Sequence, residues 1–248
     1  MKAKHPLAVI AAVRDVRRGA GDRRPIAVAG ARELVPLLAR ELRADGDPSA
    51  VVEGRFNGAA ALVWVGPPDQ ETLRDARRAG VPIIAVSEER TVPYVLAEDI
   101  VRVPPGQGFP VEAIAHALAH RLGEDATALA ARLPVLRHAV SQELIRSFSR
   151  KNGILSAAIF VPGVDMPLLT LNQIRLVLRL AIVHGQELDR ERALELLPVV
   201  GAGFGFRAVA RQLLDFVPIA GWAVKGAVAY TGTRAIGTAA QKYFDARG

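Results

Sequence analysis

Between Pro25 and Gly123 short apolar runs alternate with helical repeats. PIAVAG reads as a strand ending in glycine, SAVVEGRF as an edge strand, and AALVWVG and VPIIAVS as strands covered on both faces. DIVRVP reads as the last strand. The helices between them are ARELVPLLAREL, with Pro36 disturbing its first turns, PPDQETLRDARRAG, stopped by Gly80, and VEAIAHALAHRLG, stopped by Gly123. Strand and helix alternating at this spacing predict a parallel sheet with flanking helices.

Two other patterns flank this region. Residues 1–24 predict an amphipathic lead-in helix, with Leu7, Ile10, Ala11 and Val13 on one side, Arg14, Arg17 and Arg18 on the other, and GAGDRRP as the break. From residue 124 to 248 the pattern is helical throughout, with a break at Pro134 and a turn at VPGVDMP. LLTLNQIRLVLRLAIVHG carries an apolar side of Leu171, Ile174, Leu178, Ala181 and Ile182 and a polar side of Arg175 and Arg179. Asp165 and Asp189 are placed as helix N-caps. GAGFGFRAVARQLLDF predicts a further helix stopped near Pro218. The closing helix has small residues at Gly221, Gly226, Gly232 and Gly237, a spacing that lets helix backbones approach closely. The fold expectation is therefore α/β plus all-α: a lead-in helix over 1–24, a parallel α/β domain over 25–123, and a helical domain over 124–248 with a glycine-rich hairpin.

Composition narrows the chemistry. With 32 Lys and Arg against 25 Asp and Glu the formal charge is +7, which favours anionic partners. There is no cysteine, so disulfides, thiolate metal sites and cysteine nucleophiles are excluded, in keeping with the cytoplasm. The apolar run after the basic start is too short for a span, and no signal peptide is read. Ile219 to Ala240 reaches the length of a span but contains Lys225 and Arg234, so a peripheral or buried hairpin is the expectation. Lys225, among apolar neighbours, reads as a snorkelling side chain.

Catalytic signatures are missing. A phosphate cradle after the first strand needs a second glycine, a lysine and a hydroxyl residue, yet Val35, Pro36 and Leu37 stand there, and Glu33 would repel phosphate. Glu112, His116 and His120 fall at metal-ligand spacing on one helix face but read more simply as a solvated polar face. There is no nucleophile elbow. Arg137, Arg146, Arg150 and Lys151 form a basic series without a ladder of interleaved aromatic residues, so nucleic acid is the weaker expectation.

The C-terminal half resembles a known family. The carrying residues are Pro162, Asp165, Leu171 to Gln173, His184-Gly185, Gly201/Gly203/Gly205, Arg207, Arg211-Gln212-Leu213, Pro218 and Ala229-Tyr230-Thr231-Gly232-Thr233. Across about residues 125–245 they look like the YcjF-like helical domain, domain of unknown function 697, which in bacteria often follows an Era-like GTPase domain. The resemblance implies that residues 25–123 stand in the place of a P-loop GTPase domain. Their stations depart from its pattern: Gly66-Pro67-Pro68-Asp69 is not Asp-x-x-Gly, and Ser87-Glu88-Glu89-Arg90 is not Asn-Lys-x-Asp. The expectation is a degenerate GTPase-like domain with no catalytic, cofactor-binding or metal-binding residues, no cofactor and no nucleotide. The implied function is that of a non-enzymatic scaffold in the cytoplasm, peripheral at the inner membrane. Its expected partner is a protein or an anionic membrane surface, and a homo-oligomer is compatible with this. The alternatives are an NTPase with an unconventional site or a basic nucleic-acid-binding protein.

Overall fold

The computed structural model describes residues 5–103, 106–158, 166–186 and 222–247. The expected caps Asp165 and Asp189, the helix over 201–216, Pro218 and Gly221 lie outside the described residues, as do Pro162, the Gly201/Gly203/Gly205 cluster, Arg207 and Arg211 to Leu213 of the family resemblance. The described chain forms two compact units. One is Gly21–Glu143, and the other joins Met1–Ala20 to Leu144–Gly248.

The first unit is built on a five-stranded parallel sheet in the order β2-β1-β3-β4-β5. Its strands are β1 (Ile26–Gly30), β2 (Val51–Glu53), β3 (Ala61–Val65), β4 (Ile83–Ser87) and β5 (Ile100–Arg102). This is a common order of doubly wound α/β sheets. β3 and β4 are buried along their whole length, as their uninterrupted apolar sequence requires in a parallel sheet covered on both faces. β2 is an edge strand, and Arg43 blunts it by donating from Nη2 to the Val51 carbonyl at 3.0 Å while pairing with Glu53 at 3.0 Å.

The helices of this unit are α2 (Val35–Arg43), α3 (Gln70–Arg78), α4 (Val111–Leu122) and α5 (Ala126–Arg132). α2 begins four residues later than the sequence pattern implies: Ala31 to Leu34 form a turn, and Pro36 occupies the first helical turn, where its missing N–H costs nothing. Asp69 caps α3 by accepting the N–H groups of Glu71 and Thr72. Gly80 and Gly123, both at positive φ, follow α3 and α4. One apolar cluster of the unit centres on Leu62, Trp64, Leu73 and Ile83.

Helical structure packed on the α/β unit continues past residue 124, where the sequence pattern changes. α5 and the turn Pro134–Leu136 pack on α4, and Leu129, Leu133 and Leu136 are buried. The division falls inside the long helix α6 (Arg137–Ala158), between Glu143 and Leu144. The physical reason is that helical periodicity alone does not tell a flanking helix of an α/β unit from the first helix of a separate domain.

The second unit contains α1 (His5–Ala20), the rest of α6, α7 (Met166–Val183) and α8 (Trp222–Asp245). α1 packs on α7 through Ala12, Val13 and Val16, while Ala11, expected on the apolar side, is exposed. α7 is not half-solvated as its pattern implies: every residue from Leu176 to His184 is buried, and Arg179 is only 8% exposed. Packing of α1 and α8 against it accounts for this. At the crossing of α6 and α8, Gly153 and Gly226 face each other: a Cβ on either would lie 3.0–3.2 Å from the carbonyl oxygen of the other. Among the described residues, no helix is long and apolar enough to cross a membrane.

Candidate functional site

In doubly wound sheets a ligand crevice opens beyond the carboxyl ends of the strands, where the strand order reverses. Here that point lies between β1 and β3. There the ends of β1 and β3 approach closely. Gly30 is paired with Val65, and a Cβ at Gly30 would overlap the Val65 carbonyl. The Ala31 N–H donates to that same carbonyl oxygen at 2.8 Å. A Cβ on Gly66 would come within 2.8 Å of the Ala31 side chain. The two glycines are thus required by close approach of β1 to β3, at positive φ in both cases.

The β1–α2 turn is equally committed. The Leu34 and Val35 N–H groups donate to the Ala31 carbonyl at 2.9 and 3.0 Å, and Pro36 has no N–H. A phosphate cradle depends on several N–H groups pointing outward together. Four positions that such a cradle would use, Ala31, Leu34, Val35 and Pro36, have their N–H turned into the fold or lack it. Leu37, where a magnesium-binding hydroxyl would stand, is an exposed apolar side chain.

The other stations are likewise occupied with holding the fold. At Gly66-Pro67-Pro68-Asp69, the Trp64 indole N–H donates to the Pro67 carbonyl at 3.0 Å and Asp69 caps α3. The Asp69 carboxyl lies below its usual range because Thr72 hydrogen-bonds to its charged form. At Ser87-Glu88-Glu89-Arg90, the buried Ser87 hydroxyl accepts the Glu89 N–H at 3.1 Å. Trp64, Asp69 and Ser87 thus shape turns, while Glu88 and Glu89 are exposed.

The histidine helix gives no ligand set. His116 Nε2 lies 3.9 Å from exposed Glu112, but His120 turns to Glu143 on α6, with Nδ1 at 3.7 Å. Among the described residues no group of three or more His, Cys, Asp or Glu is arranged to hold a metal. In the basic series Arg146, Arg150 and Lys151 are exposed. Phe148 does lie among them, but it is buried, 2% exposed, with Lys151 over its ring, so no aromatic face is offered to a base. Lys225 is half-buried on α8.

Sequence reasoning missed two polar arrangements in the helical unit. The first joins three helices: Asn152 Nδ2 donates to Thr233 Oγ1 at 2.9 Å, Asn172 Nδ2 donates to Asn152 Oδ1 at 2.8 Å, and Gln173 Nε2 donates to Thr233 Oγ1 at 3.3 Å. Asn152 and Thr233 are fully buried. The second is His184 at the end of α7, 8% exposed, with Nδ1 2.8 Å from the Leu180 carbonyl and Nε2 2.8 Å from Asp245 Oδ1. The ring stacks on Phe244 at 5.8 Å. Asn172, Gln173, His184 and Thr233 stand among the residues of the family resemblance, but their contacts with Asn152 and Asp245 join residues far apart in sequence and are not legible there.

The fold and site define a mixed α/β protein with a five-stranded parallel sheet and a C-terminal helical region. No family model matches the chain, and no curated protein or solved structure matches it at a significant level.

Proposed function

We propose that this protein is a non-enzymatic binding or scaffold protein: a GTPase-like α/β unit without a nucleotide site, fused to a YcjF-like helical unit that meets a protein partner or an anionic membrane surface. The reading places it in the cytoplasm, peripheral at the inner membrane. One observation carries it. At the strand ends where a doubly wound sheet would receive a phosphate, the N–H groups of Ala31, Leu34 and Val35 are bonded within the fold and Pro36 has none. The basic balance of the chain supports an anionic surface as partner.

Calorimetry with magnesium and GTP or ATP tests the first half. No saturable binding is expected up to about 1 mM, a free energy weaker than roughly −4 kcal/mol. Micromolar affinity would replace this reading with an NTPase using an unconventional site. Cell fractionation tests the second half: the protein should sediment with membranes and be released by carbonate, and a fully soluble protein would count against the peripheral location.

A further inference from the structure

We propose that the outward face of α1 is a docking surface for anionic lipid headgroups, an inference that rests on the peripheral-membrane reading above. α1 packs on α7 with Ala12, Val13 and Val16 buried. That orientation fixes what the helix shows to solvent. Arg14, Arg17 and Arg18 are all exposed, and their i, i+3, i+4 spacing sets them within one turn on one side. The helix has one acid, Asp15, and it faces α7, where Arg175 Nε lies 3.8 Å from its Oδ2. No ion pair joins Arg14, Arg17 or Arg18 to another described residue. Asp15, itself exposed at the flank of this face, pairs with Arg175 rather than with the three cations.

Like charges at i and i+4 repel, and Arg14 and Arg18 are such a pair. Arg17 and Arg18 gain from the negative end of the helix dipole, but Arg14 stands too far back to share in it. An anion over the face would relieve the repulsion. The sequence adds Lys2 and Lys4 before the helix, so residues 1–20 hold five Lys and Arg against Asp15 alone. The face offers point charges with no aromatic residue to stack a base and no amide side chain to read a base edge, which suits a plane of headgroups better than a nucleic acid. Such a surface would bind reversibly, weakening as salt rises.

The test is sedimentation of the full-length protein with vesicles of phosphatidylcholine alone or with about 30 mol% phosphatidylglycerol, at about 0.1 M salt. The protein should sediment with the anionic vesicles only. Each basic residue near such a surface contributes about a fivefold factor, so R14Q/R17Q/R18Q should weaken binding by about a hundredfold. Its melting temperature should match the wild type, because the three side chains are exposed. R40Q/R78Q, which removes two exposed cations from α2 and α3, should bind like the wild type. Equal binding by the triple variant overturns the α1 surface and leaves the peripheral reading standing. Wild-type protein that sediments with neither vesicle overturns both. Binding to a 20-base-pair duplex that is lost in the triple variant, without vesicle binding, overturns lipid in favour of nucleic-acid phosphate.

Discussion

Arg132 donates through Nε to Asp47 Oδ2 at 2.9 Å, and its carbonyl oxygen accepts the Asp47 N–H at 2.8 Å. The same guanidinium reaches the Arg23 carbonyl at 3.1 Å and Ser49 Oγ at 3.0 Å. Gly46 lies directly against this joint: a Cβ there would come within 2.8 Å of the Arg132 carbonyl oxygen. The end of α5 is thereby fastened to the loop before β2 and to the segment before β1.

It follows that the segment 124–136 behaves as part of the α/β unit. In limited trypsin digestion of the full chain, the Arg132 bond should be among the slow ones, since its carbonyl and side chain are both engaged. R132A should speed cleavage there and lower the melting temperature. Fast cutting at Arg132 in the wild-type protein would contradict this attachment.

Asp47 and Asp99, two of the perturbed aspartates of this unit, give opposite pH dependences. Hydrogen bonds from Ser49 and Arg132 hold the Asp47 carboxyl down to about 2. Its contribution is therefore present above its unfolded value of 3.8 and lost as pH falls from there toward about 2. Burial pushes Asp99 up, and Arg121, 3.4 Å away, does not offset it. Its contribution is greatest below 3.8 and is lost as pH rises through its elevated folded value. Chemical denaturation across pH 2–7 should show D47N losing most, relative to wild type, at the upper end. D99N should compare worst with wild type at the acid end and gain on it as pH rises. Parallel pH profiles for the two variants would contradict these assignments.

The three inner strands β1, β3 and β4 were legible because each is an uninterrupted apolar run closed by glycine or a polar turn, as with Ala61–Val65 and Ile83–Ser87. The departure of Val35, Pro36 and Leu37 from the phosphate-cradle pattern was legible too, being a matter of residue type. The close approach of β1 to β3 was not, since the pairing of Gly30 with Val65 joins residues 35 positions apart. The burial of Arg179 was also hidden. A cation on a helix reads as solvent-facing, and only the packing of α1, from the other end of the chain, takes that face away.

Small residues at the α6–α8 crossing should be intolerant of enlargement. G226L places a branched side chain against the Gly153 carbonyl and Ala157 Cβ, both within 3.2 Å of the new Cβ alone. G237L meets Ile145 and Leu176 within 3.0 Å. Each should cost about 1–3 kcal/mol through overpacking. G108A, with nothing within 4 Å and no positive φ, is the control and should change little. Unchanged denaturation midpoints for both leucine variants would remove the close crossing from the account.

The buried amide network predicts a non-additive pair. Asn152 satisfies Thr233 and accepts from Asn172, all within the seam of α6, α7 and α8. Replacing Asn152 by leucine removes the donor to Thr233 and the acceptor for Asn172, leaving polar atoms in an apolar seam. That should cost about 1–3 kcal/mol for each group stranded. T233V alone removes the hydroxyl that accepts from both Asn152 and Gln173, and should be of similar size. Once Asn152 is gone, however, the Thr233 hydroxyl has lost one of its two donors, so removing it costs less than in the wild type. The double variant N152L/T233V should therefore be more stable than the sum of the single losses implies, by about 0.5–3 kcal/mol in a double-mutant cycle. Strictly additive losses would mean that the 2.9 Å contact between Asn152 and Thr233 contributes no coupling, and that the seam is held by apolar packing alone.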